Sequence, residues 1–414
     1  MNHSLRALLL ASMLLASCRS ADIQPAYDIA PKVAAARSIM QRPDVASALR
    51  LVDADRGRIV DEWRALTEIP APSGHEAARA QYVERALQGM GVDVTRDGAG
   101  NVIAVRKGKG SGKHVVFDAH LDTVFAHSTD VKTRIEDGRL HAPGVGDNTR
   151  NVASLIAMIR AMHDAQVETA GDITFLFTVE EETTFRGVEQ FIADKGKSVD
   201  RFVALDGGFN DFTYGGIGIY WDRYHILGPG GHTRSGTPPY SAALPVARAI
   251  DRLYRLRIPR GAWLNVGMLG GADVFNAKAS DAWLSVDLRS NDGETLHRLD
   301  REVERIVRQE AARDGMQMRR ENVSKSEVAK LPGHRTSEMV LTTEGVWRAF
   351  GATPEISDTA SNHASVAILS GIPAISTGTA PCRGAHSVRE NCEIDPILTG
   401  TKRNIVLAVA LSGG

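Results

Sequence analysis

Imidazole and carboxylate side chains close three apolar runs in this chain. "VVFDAHLDTV" reaches His120 and Asp122, "GDITFLFTVEEE" ends in Glu180, Glu181 and Glu182, and "RFVALDGG" carries Asp206. Between the first two, "HAPGVGDNTRNVASL" sets Asp147 just ahead of a helical pattern, and "RGAHSVREN" near the C-terminus offers His386. Three adjacent glutamates at the end of a buried strand repel one another where water is scarce, so either that end is solvated or a cation belongs there. Imidazole and carboxylate are donors that zinc accepts, and several of them from different strand ends point to a metal site assembled at a sheet edge. Singly, each has a plainer explanation: Asp147 can cap the helix after it, His-x-Asp can be an ordinary pair, and "LDGG" can be a turn. The combination is harder to explain that way.

Such residues need an open α/β sheet, which delivers functional groups at the C-terminal ends of its strands. Apolar positions recur at three and four residues from Val33 to Ile69, predicting helix. Strands ("NVIAVRKG", "KHVVFDAHLDTV", "GDITFLFTV", "RFVALDGG") then alternate with helices ("NVASLIAMIRAMHDA", "RGVEQFIADKG"). That alternation predicts a mixed sheet covered by helices on both faces. From Tyr220 the order becomes β-α-β-β-α-β, the ferredoxin-like arrangement, and from Leu331 the α/β pattern resumes. The expected architecture is an α/β domain over 31–219 and 331–414, interrupted by an α+β insertion over 220–330.

The 414 residues are 43% hydrophobic and 24% charged, with a formal net charge of -1. Basic residues are scattered and not interleaved with aromatics, which argues against a nucleic-acid partner. The N-terminus "MNHSLRALLLASMLLASC" has Arg6 and then an apolar run from Ala7 to Ala16. That run is too short to span a bilayer but suits a signal-peptide core. Leu15-Ala16-Ser17-Cys18 resembles the lipobox of bacterial lipoproteins, which implies cleavage before Cys18 and lipid on its thiol. Residues 1–18 then form the signal and lipidation site and 19–30 a tether. The expectation is export, with the chain anchored to the cell envelope, facing the periplasm and touching the membrane only through its lipid. In an oxidising compartment Cys382 and Cys392 can form a disulfide, although spacing alone does not show their geometry.

The motifs "HLDTV", "GVGDNTRNVA", "TVEEETTFRG", "LDGG", "GPGGHTRSG", "LGGADVFNA", "VDLRS" and "GAHSVRE" together resemble the co-catalytic zinc hydrolases that include peptidase T, aminoacylase and glutamate carboxypeptidase. The resemblance runs from about residue 60 to the C-terminus. It implies a zinc-binding catalytic domain with an inserted lid that also mediates dimerisation. Carried over by position, Asp147 bridges two zinc ions, Glu182 and His386 complete one, and His120 and Asp206 complete the other. Cobalt or manganese would accept the same ligands. Asp122 would orient His120 and raise its basicity. Three carboxylates fall one charge short of two dications, a deficit that one shared hydroxide fills, leaving a near-neutral site.

The resemblance assigns the general base to the first glutamate of a pair and the metal to the second. Here the pair could be 180/181 or 181/182. In the glutamate carboxypeptidase pattern a glycine falls five residues after the ligand, as Gly187 does after Glu182, so Glu181 is taken as base. A regular strand would point Glu181 away from Glu182, so both can serve only if the strand has already ended. In the lid the resemblance implies that His232 reaches a partner subunit's site to stabilise an oxyanion. It implies too that Asn276 and Arg289 bind substrate backbone and carboxylate, with Gly378 lining the pocket. Arg150 and Asn151 depart from the small residues that usually follow the bridging aspartate, which bears on substrate preference. His141, His163 and His334 are expected in solvent. The implied activity is hydrolysis of small peptides, a peptidase T-like aminopeptidase being favoured. N-acyl amino-acid deacylation or a glutamate-type carboxypeptidase is the alternative, and a non-catalytic binding lipoprotein a further one.

Overall fold

The computed structural model describes residues 27–235, 240–271 and 273–413; the signal-like segment, Cys18 and most of the expected tether lie outside them. Eight strands form one mixed sheet in the order Val94–Arg96, Val102–Arg106, Ile173–Thr178, Val115–His120, Arg201–Leu205, Ala374–Thr377, Asp211–Thr213, Glu355–Ser357. From Ile173–Thr178 to Ala374–Thr377, four neighbours run parallel. Every residue of Val115–His120 and Ile173–Thr178 is buried, as befits parallel strands covered on both faces. Alternation sends Val115, Phe117 and Ala119 into the larger core with helices Arg56–Thr67, Arg150–Asp164 and Pro396–Leu411. Val116 packs on the opposite face with helices Arg186–Lys195 and His363–Leu369. Since the four parallel strands share a direction, their C-terminal ends lie along one edge.

A second, antiparallel sheet is built between residues 218 and 326. Its order is Ala262–Asn265, Asp281–Ser290, Gly218–Leu227, Gln317–Ser326, with Leu269–Gly270 also paired to Asp281–Ser290. Helices Ala243–Tyr254 and Gly293–Arg313 share one apolar core with this sheet, and the chain order is the expected β-α-β-β-α-β. "AWLNVGMLG" makes two strands, not the single one expected. Between them Val266 N–H donates to the Tyr254 hydroxyl and Met268 N–H to Ser285 Oγ, so these two amides find side-chain acceptors in place of strand carbonyls.

Two further differences have local causes, and the disulfide that the sequence allowed is present. The helical stretch expected from Val33 to Ile69 is three helices, Ala30–Gln41, Pro43–Ala54 and Arg56–Thr67. Arg42 takes ψ 135° because the proline after it disfavours a helical conformation. The cysteine stretch is a short hairpin in which Cys382 lies opposite Cys392 and is disulfide-bonded to it. His334 is buried, contrary to expectation: its Nε2 lies 2.8 Å from the Ala374 carbonyl oxygen and its Nδ1 3.2 Å from Ser337 Oγ. Among the described residues no helix is long and apolar enough to cross a membrane.

Gly187 shows why a glycine follows the glutamates at that distance. A Cβ there would stand 2.5 Å from both the Val179 carbonyl oxygen and Asn101 Oδ1. Helix Arg186–Lys195 can therefore pack against the end of the glutamate strand only without a side chain at Gly187. Gly187→Ala is expected to destabilise the protein by about 1–3 kcal/mol, read as a lower midpoint in urea unfolding.

Candidate metal centre

Strand Ile173–Thr178 stops two residues before the glutamates. Glu180 then takes φ 57°, in the left-handed region, and the turn brings Glu181 and Glu182 to the same side. Glu180 itself is drawn off: Oε1 accepts from Arg186 Nε at 2.8 Å and Oε2 from the Thr184 hydroxyl at 2.8 Å. Asp122 fixes the other two. Fully buried, its Oδ1 accepts the Glu181 N–H at 2.9 Å, and Oδ2 accepts the Glu182 N–H at 3.0 Å and the Ser73 hydroxyl at 2.5 Å. Oδ1 also lies 3.3 Å from His120 Nδ1. Burial alone would raise the Asp122 carboxyl, but its hydrogen bond to His120 and that imidazole's charge, with Ser73 and the Glu182 amide, hold it down at about 2.

The other face of His120 completes the cluster. Its Nε2 is 3.0 Å from Asp147 Oδ1, and Asp147 Oδ2 is 3.2 Å from His386 Nε2, which is in turn 3.1 Å from Glu182 Oε2. One donor atom from each of His120, Asp147 and Asp206 lies within 4.8 Å of the others, and the same holds for Asp147, Glu182 and His386. Asp147 is common to both groups. A third such group is His120, Glu181 and Glu182. The structure thus brings all five sequence-predicted ligands together, with Glu181 beside them.

These residues fit a pair of cations. Burial, then the charge of Asp147, pushes Glu182 up to about 7 and raises Asp206; burial also drives Glu181 well above the carboxylate range. Burial would lower His120, but its bonds to Asp122 and Asp147 raise it well above the ordinary imidazole value. Glu182 Oε1 is buried without a hydrogen-bond partner among the described residues. A buried carboxylate oxygen so placed is costly unless something positive meets it. Two donor groups sharing one carboxylate would hold two divalent ions.

Three supporting groups were not anticipated. Glu390 is buried, with Oε1 accepting the Gly146 and Asp147 N–H groups at 2.8 Å each and Oε2 accepting the Gly144 N–H at 2.7 Å, so it sets the Asp147 loop. It lies four residues past His386 in "GAHSVRE", the one signal that could have marked it. Arg150, noted only as a departure, is buried and donates to the carbonyls of Ala380 and Gly207. His363 Nδ1 pairs with Asp118 Oδ2 at 2.7 Å, and its ring lies 6.3 Å from the His120 ring centre to centre, in the stretch where the α/β pattern resumes.

The lid residues separate. A cavity of about 330 Å3 at Asp147, Glu181, Glu182, Asp206 and His386 adjoins a cleft of about 410 Å3 reaching Arg289. His232 and Asn276 face neither; both are exposed, on the ribbon pairing Gly231–His232 with Ala277–Lys278 and beside it. Gly378 does not line either space: its N–H donates to Gly208 O at 2.6 Å, and a Cβ would stand 2.3 Å from Gly207 O. Its smallness serves close packing.

A parallel-stranded α/β domain with a carboxylate-and-imidazole cluster at its strand ends, interrupted by a ferredoxin-like lid, defines the class of lidded metallohydrolase folds. The chain belongs to peptidase family M20/M25/M40, whose sequence model matches residues 116–407. Carboxypeptidase G2 of Pseudomonas sp. (strain RS-16) is 26% identical over 228 residues, 51% of this chain and 54% of that protein. The chain therefore spans about half the length of that curated relative. A tripeptidase from Staphylococcus aureus superposes with TM-score 0.75 at 19% identity, covering 86% of this chain and 98% of its own. The YXEP protein of Bacillus subtilis, described as a dinuclear metal-binding peptidase of the M20 family, superposes with TM-score 0.66 at 16% identity, covering 86% and 98%. These likenesses speak for the fold.

Asp122→Asn removes an acceptor from one of the two glutamate amides, so metal affinity should fall roughly 10–100-fold, measured by competitive chelator titration. A pH effect follows from His386, whose hydrogen bond to Asp147, with burial opposing and the Glu182 charge assisting, raises it from the ordinary 6.5 to about 9. With folded pKa above unfolded, the metal-free protein keeps this stabilisation below 6.5 and loses it as pH rises through 9. Metal must displace that proton, so affinity should climb with pH over this window. Calorimetry at pH 7 in buffers of different ionisation enthalpy should register release of more than one proton, since His120 and Glu182 are raised as well as His386.

Proposed function

We propose that the chain hydrolyses amide bonds in small peptides as a metal-dependent exopeptidase, with Glu181 as general base. The observation that carries this is the cluster of His120, Asp147, Glu182, Asp206 and His386 with Glu181 alongside, open to a cleft. Two zinc ions held there, cobalt or manganese being the substitutes the same donors accept, would bring the pKa of water towards neutrality and polarise a carbonyl. Glu181 is buried in the cavity wall, where it can take a proton from attacking water and return it to the leaving amine. Asp122 keeps Glu181 and Glu182 in register, and the rise of Glu181 with burial suits a group that carries a proton near neutrality.

Two end preferences have support. The likeness to a tripeptidase favours the peptidase T-like reading. Arg289, in the cleft beside Glu181 and His386, favours recognition of a substrate carboxylate, as in a carboxypeptidase or an N-acyl amino-acid deacylase. We infer as well a homodimer through the lid. His232 and Asn276 are exposed and line neither space of their own chain, and exposed Leu269, Val274 and Phe275 stand near Asn276 in the chain. In such a dimer His232 would serve the partner's site. Export and lipid anchoring at Cys18 are supported by the N-terminal sequence and by the Cys382–Cys392 disulfide, which belongs to an oxidising compartment.

Glu181→Gln should lower kcat on order of 10²–10⁴-fold while metal content measured by mass spectrometry stays unchanged. Full activity in that variant would sink the assignment. A panel of peptides with free and blocked ends separates the two preferences: turnover that survives an N-acyl block excludes the aminopeptidase reading.

A further inference from the structure

The cleft beyond the acidic cluster is roofed by the face of the lid sheet that its helices leave uncovered. In Asp281–Ser290 burial alternates without exception, and Ala282, Leu284, Val286 and Leu288 join the core shared with helices Ala243–Tyr254 and Gly293–Arg313. Asp287 and Arg289 therefore project from the other face. Register sets Arg289 opposite Ile219 and Asp287 opposite Trp221, and these face Ser326 and Ser324 on the next strand. Ile219, Trp221, Arg289 and both serines line the cleft, and Val124 and Phe185 from the catalytic domain close its other side.

The wall chemistry is selective. Asp287 grips Arg289 through Nε at 3.0 and 3.1 Å and Nη2 at 3.0 Å, which aims the guanidinium and leaves Nη1 without a partner among the described residues. Among the described residues lining this cleft, Arg289 is the only one with a permanent positive charge, and the acids are Glu181 and Glu182 of the metal cluster. Arg289 can thus receive one carboxylate, and apart from Glu181, Glu182 and His386 of the metal cluster the rest of the wall is aromatic, aliphatic or hydroxylic. A second carboxylate would lose water here with Arg289 already taken, and the two acids that could meet a lysine ammonium belong to the metal cluster, so either charge is costly.

We propose that Trp221 and Ile219 of the lid, with Phe185 of the glutamate turn, form a specificity pocket for an apolar or aromatic side chain. Its substrate is an amide whose leaving amine is an apolar α-amino acid with a free carboxylate held at Arg289. Water adds across the scissile C–N bond, the acyl side leaves as a carboxylate and the apolar amino acid leaves as the amine. This deepens the hydrolytic reading and rests on it. It places specificity on the residue after the scissile bond.

The test uses the full chain loaded with zinc and the N-acetyl derivatives of phenylalanine, leucine, alanine, glutamate and lysine, with N-acetyl-phenylalanine amide as the uncharged control. Phenylalanine and leucine derivatives should exceed those of glutamate and lysine in kcat/KM by roughly tenfold or more, and the amide should be slower by a similar factor. Trp221→Ala should narrow the phenylalanine-to-alanine ratio, mainly through KM. A preference for glutamate or lysine, or an unchanged ratio in Trp221→Ala, overturns the pocket. Equilibrium binding to Glu181→Gln separates this from failure of the hydrolytic reading. Tighter binding of N-acetyl-phenylalanine than of N-acetyl-glutamate upholds the pocket even if nothing is cleaved, and equal or reversed affinities overturn it.

Discussion

One buried carboxylate sets the geometry of the centre. Asp122 accepts the backbone N–H groups of both Glu181 and Glu182 and stands against His120 Nδ1. It follows the strand Val115–His120, while the glutamates follow the neighbouring parallel strand, so a single side chain clamps two strand ends together. The clamp works because the glutamate strand stops at Thr178 and Glu180 turns through the left-handed region. A carboxylate with no exposure, satisfied by two amides, a hydroxyl and an imidazole, is a rigid anchor, since releasing any partner leaves charge without water.

The opposite half of the cluster is held from the far end of the chain. Asp147, common to both donor groups, has its own N–H bound by Glu390, and Glu390 and His386 both lie within the hairpin closed by Cys382 and Cys392. Gly146 is small for the same reason: a Cβ there would stand 2.7 Å from Glu390 Oε1 and 2.8 Å from Cys392 Sγ. Arg150 adds a third tie, joining the Gly207 turn after Asp206 to the Ala380 segment before the hairpin. A guanidinium suits this position because its fork reaches two loops at once.

Much of this was legible beforehand. Ligand chemistry collects at the C-terminal ends of parallel strands, so His120, Asp122, the glutamates and Asp206 marked the centre before any coordinate was known. Residues that act through partners distant in the chain were not legible. Glu390 resembles any loop glutamate until its oxygens are seen on three amides, and the Asp118–His363 pair joins positions 245 residues apart. His334 was misjudged because a lone histidine carries no burial signal, and what covers it comes from the strand Ala374–Thr377. In the lid, alternation in Asp281–Ser290 was readable, but which face met the catalytic domain was not.

The sequence by itself determined the α/β class and the inserted lid, because both depend on local periodicity, and it singled out the imidazoles and carboxylates that the structure gathers at the strand ends. Only the tertiary structure decided how Glu181 and Glu182 come to share a face, since that depends on one left-handed residue and on an aspartate donated by the next strand. It also decided that Arg289, and neither His232 nor Asn276, meets its own chain's cleft. That outcome turns on the packing of one sheet face over another domain, a long-range contact that no spacing in the chain encodes.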